Sequence, residues 1–361
     1  MRIVAKIGTA SITDDRGMID RSAIARLVDE TAALRAIGHE VLIVSSGAVA
    51  AGVAALGMDQ RPSDMQTTQA VSAVGQSRLV EAYNIEFARH GLLGAQLLVD
   101  PYDFVERQQY VHLRSTMHRL LELGVVPVMN ENDAIANDEL RYGDNDRIAA
   151  LIANSVGADV LVLLTDMDGV FTADPRRDSS ATLIPFVKAD DPLLSINADG
   201  GGSGRGSGGM ASKLVAARMA SWSGMRSVIA RASRRGVLAG SASDELVGTT
   251  FAPHDRALSA RKLWIAFAAE VAGSIEVDAG ARRALTEHPN SLLPAGVVAT
   301  HGMFEHGQVV DMVGPEREVF ARGIASTASA DLAPVLGHHT SALPAGMAHT
   351  VVHRDDLVIL A

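Results

Sequence analysis

Two polar blocks, Asn130-Glu131-Asn132-Asp133 and Asp144-Asn145-Asp146, bracket one loop of the chain. So many carboxylates and carboxamides gathered around one strand end are hard to satisfy in a mere turn, and in open α/β sheets that edge is where ligands sit. Asn and Asp also gather in turns and helix caps. A cap takes one residue, however, and this stretch has several to spare. Two lysines stand out for a different reason. Lys6 lies late in the apolar run Ile3-Val4-Ala5-Lys6-Ile7. A buried ammonium without a partner is costly, so Lys6 is expected to face a cleft that holds anions; the alternative is an edge-strand lysine with its head in water. Lys213 falls in the first turn of a helical run that follows the glycine-rich segment 200–209. A cation beside the positive end of a helix is mildly unfavourable, which points to a task such as cradling phosphates together with backbone donors. A plain surface loop is the other reading. Gly204, Gly206 and Gly209 satisfy a dinucleotide fingerprint by spacing alone, but no apolar strand precedes them and no Walker Gly-Lys-Ser/Thr follows.

These residues need strand ends and helix starts to position them. Val125 to Met129 is short, β-branched and bounded by Gly124, which predicts a buried parallel strand that ends where the first polar block begins. Residues 3–8, 40–44, 92–99 and 159–164 read as further strands. Helical periodicity predicts helices over about 21–37 with Asp20 as cap, over 65–90, over 102–123, and from Asp144 or Asn145 onward. The segment Thr9 to Thr13 reads as a loop with three hydroxyls. Ser45-Ser46-Gly47 joins a strand to a helix and suits an anion, although an ordinary serine cap is the simpler reading. Thr165-Asp166-Met167-Asp168-Gly169 puts acids and a turn at another strand end. Alternating strands and helices imply an α/β doubly wound, mainly parallel sheet, whose ligands sit beyond the carboxyl ends of the strands. Past residues 253–261, read as a linker, short strand-like runs at 296–299, 308–313 and 351–352 separated by Gly, Pro and His predict a small β-rich domain. The chain is thus divided into residues 1–252, a linker over 253–261, and 262–361.

Composition narrows the function classes. With 361 residues, 47% hydrophobic and 20% charged, the chain can build two ordinary cores. It has no cysteine, which excludes disulfides and thiolate metal sites. Histidines are scattered without ligand spacing, so no metal ligand is assigned. The net charge of −10 argues against broad binding to a nucleic-acid backbone. No apolar run approaches the ~20 residues of a membrane span, and the first residues carry no targeting pattern, so a cytoplasmic location is expected.

Taken in order, Lys6-Ile7-Gly8-Thr9, Ser45-Ser46-Gly47-Ala48, Asn130 to Asp133, Gly143 to Asp146, Leu164 to Gly169 and Gly208-Gly209-Met210-Ala211-Ser212-Lys213 resemble the glutamate-phosphorylating branch of the amino-acid kinase family. Arg261 to Ile265, Gly273 to Ala281, Ser291 to Gly296 and Val352 to Asp356 resemble the PUA domain, a small β-rich barrel, appended to bacterial members. The resemblance implies ATP-dependent phosphorylation of the side-chain carboxylate of L-glutamate, with Mg²⁺, as the first step toward proline. It also implies a homo-oligomer with L-proline as feedback inhibitor. An RNA-binding module is the reading that the PUA resemblance alone would suggest; the negative charge balance argues against a nucleic-acid partner, and the lack of a long apolar run against a membrane one. By the same pattern Lys6 and Lys213 contact phosphates and Asp146 organises them; Ser46, Asp133, Asn145 and Asn130 bind glutamate. Thr165 and Asp166 hold the nucleotide, and Ser207, Gly208, Gly209, Met210, Ala211, Ser212 and Lys213 form its phosphate loop. Ala10, Ser207 and Leu263 depart from the family's usual residues. Gly323 to Thr327 lacks an expected Tyr, which weighs against an RNA-binding role for the last domain. Acetylglutamate kinase and uridylate kinase remain the neighbouring alternatives in this family.

Overall fold

The computed structural model describes residues 1–14, 16–135, 145–191, 193, 209–243, 245–255, 257–338 and 350–360. The chain divides into two compact units, Met1–Leu258 and Ser259–Ala361.

In the first unit, elements follow in the order β1 (Arg2–Ile7), α1 (Thr9–Ile12), α2 (Arg21–Ala36), β2 (Glu40–Ser45), α3 (Ala48–Ala55), α4 (Met65–Arg89), β3 (Gly94–Val99), α5 (Arg107–Glu122), β4 (Val126–Glu131), α6 (Asn145–Val156), β5 (Val160–Thr165), β6 (Phe186–Val187), α7 (Met210–Trp222), β7 (Arg226–Arg231), α8 (Val237–Ala242) and β8 (Gly248–Phe251). Eight strands make one sheet in the order 3-4-2-1-5-7-8-6. Every neighbouring pair is parallel except β7 with β8. This is the doubly wound arrangement expected from the alternating pattern. β1 lies in the middle with β2 and β5 on its two sides, Lys6 standing level with Val44 and Leu163, and Ile7 level with Ser45 and Leu164. The carboxyl ends of four strands are therefore in step, and their polar termini Lys6, Ser45, Asn130 and Thr165 share one edge of the sheet.

Beneath that edge the strands are apolar on both faces because helices cover them. Ile3, Ala5, Ile7, Val41, Ile43, Val128 and Val162 pack with Ile24, Leu27 and Val28 of α2 and with Leu79, Tyr83 and Phe87 of α4. Asp20 caps α2 as expected, its Oδ1 accepting from the amides of Ser22 and Ala23. α3 and α4 touch backbone to backbone. A Cβ added at Gly75 would lie 1.8 Å from the carbonyl oxygen of Ala48, and one at Gly52 would lie 1.9 Å from that of Val71. Glycine inside a helix ordinarily costs about 1 kcal/mol against alanine. Here the contact outweighs propensity, and Gly75→Ala should destabilise the protein by about 1–3 kcal/mol, measured by denaturant unfolding, despite the better helix former.

Three local expectations change. Thr9 to Ile12 form a single helical turn, closed by the Thr13 amide on the Thr9 carbonyl at 3.0 Å, where a loop was read. The helix expected over 102–123 is a 3₁₀ turn, Pro101–Phe104, followed by α5. Gly47, at φ 100°, precedes α3 with no side-chain cap, so the simple serine cap does not form.

The second unit contains α9 (Ala260–Leu263), β9 (Val271–Val277), α10 (Ala279–Glu287), β10 (Val297–His301), β11 (Val309–Val313), β12 (Val319–Ala325), α11 (Ser329–Leu332) and β13 (Val352–Ile359). Its five strands pair in the order 10-9-11-12-13, antiparallel except β9 with β11. Ile275, Phe304, Val310, Met312, Phe320 and Val352 form its own core. The β-rich expectation holds, with β9 and β12 added to the strands read from sequence.

Candidate active site

Asp146 lies in the first turn of α6, where the helix end favours an anion. It is fully buried. Its Oδ1 pairs with Lys6 Nζ at 2.8 Å and its Oδ2 with Lys213 Nζ at 3.0 Å. Ser212 adds a hydroxyl donated to Oδ2 at 3.1 Å. Burial alone would push this carboxyl up, but the two ammonium groups prevail and hold it below its ordinary value of 3.8. The lysines are 3% and 4% exposed, which decides their character: they are interior cations, neither of them a snorkelling surface residue. One carboxylate thus serves two ammonium groups at the ends of the strands. Two buried ammonium groups side by side suit the arrival of an anion. Lys213, ill placed at a helix start by itself, is compensated by Asp146.

The residue just before Asp146 opens a second cluster. Asn145 Nδ2 donates to Ser46 Oγ at 3.1 Å and to Asn130 Oδ1 at 3.0 Å. The backbone amide of Glu131 donates to Asn145 Oδ1 at 3.2 Å and to Asn130 Oδ1 at 2.9 Å. Asn130 Nδ2 in turn donates to Gln76 Oε1 at 2.8 Å. Asp133 accepts from the Ser72 hydroxyl at 3.0 Å. Two consecutive residues at the start of α6 thus face the ammonium pair and the carboxamide cluster.

At the end of β5, Thr165 donates its hydroxyl to Asp166 Oδ1 at 3.0 Å. Arg231, level with Thr165 across β5 and β7, grips Asp168 through two hydrogen bonds of 2.6 and 3.1 Å, which hold that carboxyl below its ordinary value. Gly209 precedes α7, and Met210, Ala211, Ser212 and Lys213 form its first turn. Ser207 and Gly208, expected in the same loop, lie outside the described residues, as do Gly143 and Asp144.

Sequence reasoning missed Ser72 and Gln76. Both are buried on α4 with Thr68, at four-residue spacing along a face otherwise made of Val71, Leu79, Ala82 and Phe87. That polar stripe inside an apolar face was the available signal. Among the described residues no group of three or more His, Asp or Glu could hold a metal ion, and no helix is long and apolar enough to cross a membrane.

Comparison with known proteins matches residues 1–231 to the amino acid kinase family and residues 273–347 to the PUA domain. The chain is 44% identical to the glutamate 5-kinase of Pseudomonas putida over 99% of this chain and 98% of that one. It is 40% identical to that of Pelobacter propionicus over 99% and 97%, and 43% identical to that of Mycobacterium ulcerans over 99% and 96%. Among solved structures, the isopentenyl phosphate kinase of T. acidophilum is similar at 17% identity and TM-score 0.49, covering 70% of this chain and 100% of its own. The UMP kinase of Bacillus anthracis is similar at 17% and 0.48, covering 70% and 95%.

Proposed function

This chain belongs to the amino acid kinase family, and we propose that it transfers the γ-phosphoryl group of ATP to the side-chain carboxylate of L-glutamate, giving L-glutamyl 5-phosphate and ADP. That product is the first intermediate on the way to proline. The observation that carries the reading is the join at α6: Asn145 turned to a carboxamide pocket and Asp146 turned to two buried lysines.

The chemistry needs no general base, because a carboxylate is already an anion at neutral pH. One oxygen of the glutamate side chain forms a bond to the γ-phosphorus while the bond from that phosphorus to the β,γ-bridging oxygen breaks; the electron pair leaves with ADP and no proton moves. Charge is what opposes this step. Two anions must touch, and the transferring group spreads negative charge over its oxygens. Lys6 and Lys213 offset it from two directions, one at the end of β1 and one at the start of α7. Asp146 takes no proton; it holds both lysines in place as their shared counter-charge. Mg²⁺, brought in with ATP, would supply further neutralisation of the phosphate charge beside the two lysines. Thr165, Asp166 and the first turn of α7, with Ser207 and Gly208 before it, hold the nucleotide. Ser46, Asn130, Asp133 and Asn145 hold the glutamate head group.

Hydroxylamine trapping tests the assignment: with ATP and glutamate the acyl phosphate is captured as a hydroxamate, whereas preference for N-acetylglutamate or UMP as acceptor would refute it. For Asn145→Ala we expect the KM for glutamate to rise by about tenfold, the scale of one or two lost hydrogen bonds, with the KM for ATP retained. Glutamate saturation curves at fixed ATP check this. Feedback inhibition by L-proline, assembly into a homo-oligomer and a cytoplasmic location belong to the same proposal and rest on the family resemblance. Rates with and without proline, and the mass of the protein in solution, test the first two.

A further inference from the structure

The turn that follows β5 is anchored at its two flanks. On the near side the backbone amide of Ala232 donates to the Thr165 carbonyl at 2.8 Å. On the far side the Val170 amide donates to Thr249 Oγ1 at 2.8 Å, and that hydroxyl donates to the Ile184 carbonyl at 2.6 Å. Gly169 is wedged against the same oxygen, since a Cβ added there would lie 2.6 Å from it. Asp166, Met167 and Asp168 lie between these flanks, and among the described residues none of the three makes a backbone hydrogen bond within the turn. What fixes the middle is Arg231, whose Nε and Nη2 donate to Oδ1 and Oδ2 of Asp168 at 2.6 and 3.1 Å. A planar guanidinium on both oxygens of a carboxylate sets orientation as well as distance. Arg231 is the last residue of β7 and stands level with Thr165, so the grip ties the turn to the sheet itself.

This pair matters little to the fold. The two side chains are 39% and 57% exposed, and an exposed ion pair adds only modestly to stability. Its leverage is local. We propose that Arg231 is a positioning residue for the nucleotide site, holding the turn of Thr165 and Asp166 through Asp168 in the shape that receives ATP, an inference that rests on the assignment of Thr165 and Asp166 to the nucleotide in the reading above. Without the grip, the three residues between the flanks regain backbone freedom, and ATP must order them when it binds. Glutamate is spared that cost, because its pocket of Ser46, Asn130 and Asn145 is built from other strand ends and from the start of α6.

Steady-state kinetics of the full chain test this, with ATP varied at saturating glutamate and the reverse, for the wild type, Arg231→Ala, Asp168→Ala and the double variant. Either single change should raise the KM for ATP by about threefold to fivefold, the upper range of one exposed ion pair. Turnover and the KM for glutamate should stay within about twofold of wild type, and the melting temperature within about 3 °C. Because the two side chains act as one unit, the double variant should match the single ones. An unchanged KM for ATP in both single variants overturns the proposal. So does a rise in Arg231→Ala beside a silent Asp168→Ala, which would make Arg231 a direct contact of the nucleotide, and so does a double variant whose effect is the product of the two. A wild type that fails to use ATP and glutamate refutes the activity itself, whereas a wild type that uses both beside indifferent variants refutes only this role of Arg231.

Discussion

Replacing Lys213 by alanine should lower turnover at least ~100-fold while leaving the protein folded, and steady-state kinetics beside a melting curve measure both. Removing one preorganised group that stabilises developing charge in a dry site costs about 2.7–4 kcal/mol of barrier. The fold survives because Asp146 keeps two partners, Lys6 at 2.8 Å and the Ser212 hydroxyl at 3.1 Å. The change also removes a cation from the unfavourable end of α7, which returns a few tenths of a kcal/mol to stability. A variant that loses its melting transition together with its activity would mean that Lys213 serves the fold and leaves catalysis to others.

Asp146→Asn should have the opposite balance, with stability falling by about 3–5 kcal/mol along with activity. The side-chain volume hardly changes, yet two interior ammonium groups lose their shared counter-charge, and breaking a buried pair costs far more than never having built it. The expected pH dependence follows from the carboxyl being held below 3.8 in the folded protein. The unfolded chain binds the proton more readily, so this contribution is fully present above pH 3.8 and fades as pH falls below it through the folded value. The gap in stability between wild type and Asp146→Asn should therefore stay constant from neutrality to about pH 4 and narrow in stronger acid. Denaturant unfolding at several pH values reads it. A gap that widens in acid would mean that the carboxyl is protonated more easily in the folded state than in the unfolded one.

Some of this arrangement was legible in the residues and some was not. Val125 to Met129 and Val160 to Leu164 announced buried parallel strands because helices cover both faces and leave the runs uniformly apolar. The polar residues that follow them then marked the working edge. Lys6 and Lys213 were singled out as costly where they stood, and the structure supplies the common counter-ion that explains both. Gln76 and Ser72 escaped notice because a polar residue on a helix ordinarily means a solvent face, and the partner of Gln76 lies 54 positions away. β7 was missed since its apolar core of Val228 to Ala230 is short and flanked by Arg226, Ser227 and Arg231. β9 and β12 were missed for a related reason: Gly273, Arg322 and Gly323 interrupt the alternation that marks a half-buried strand, and Arg322 is accommodated by an ion pair with Asp311 at 2.7 Å that no local pattern reveals. The single turn at Thr9–Ile12 is too short to show a period.

The account turns on the glutamate carboxylate being the nucleophile at this cationic edge, and isotope transfer tests that most directly. With glutamate carrying ¹⁸O in its side-chain carboxylate, ATP, and hydroxylamine to break the acyl phosphate, each phosphate released should carry one ¹⁸O atom. Phosphate free of the label, released at the same rate as ADP, would contradict it.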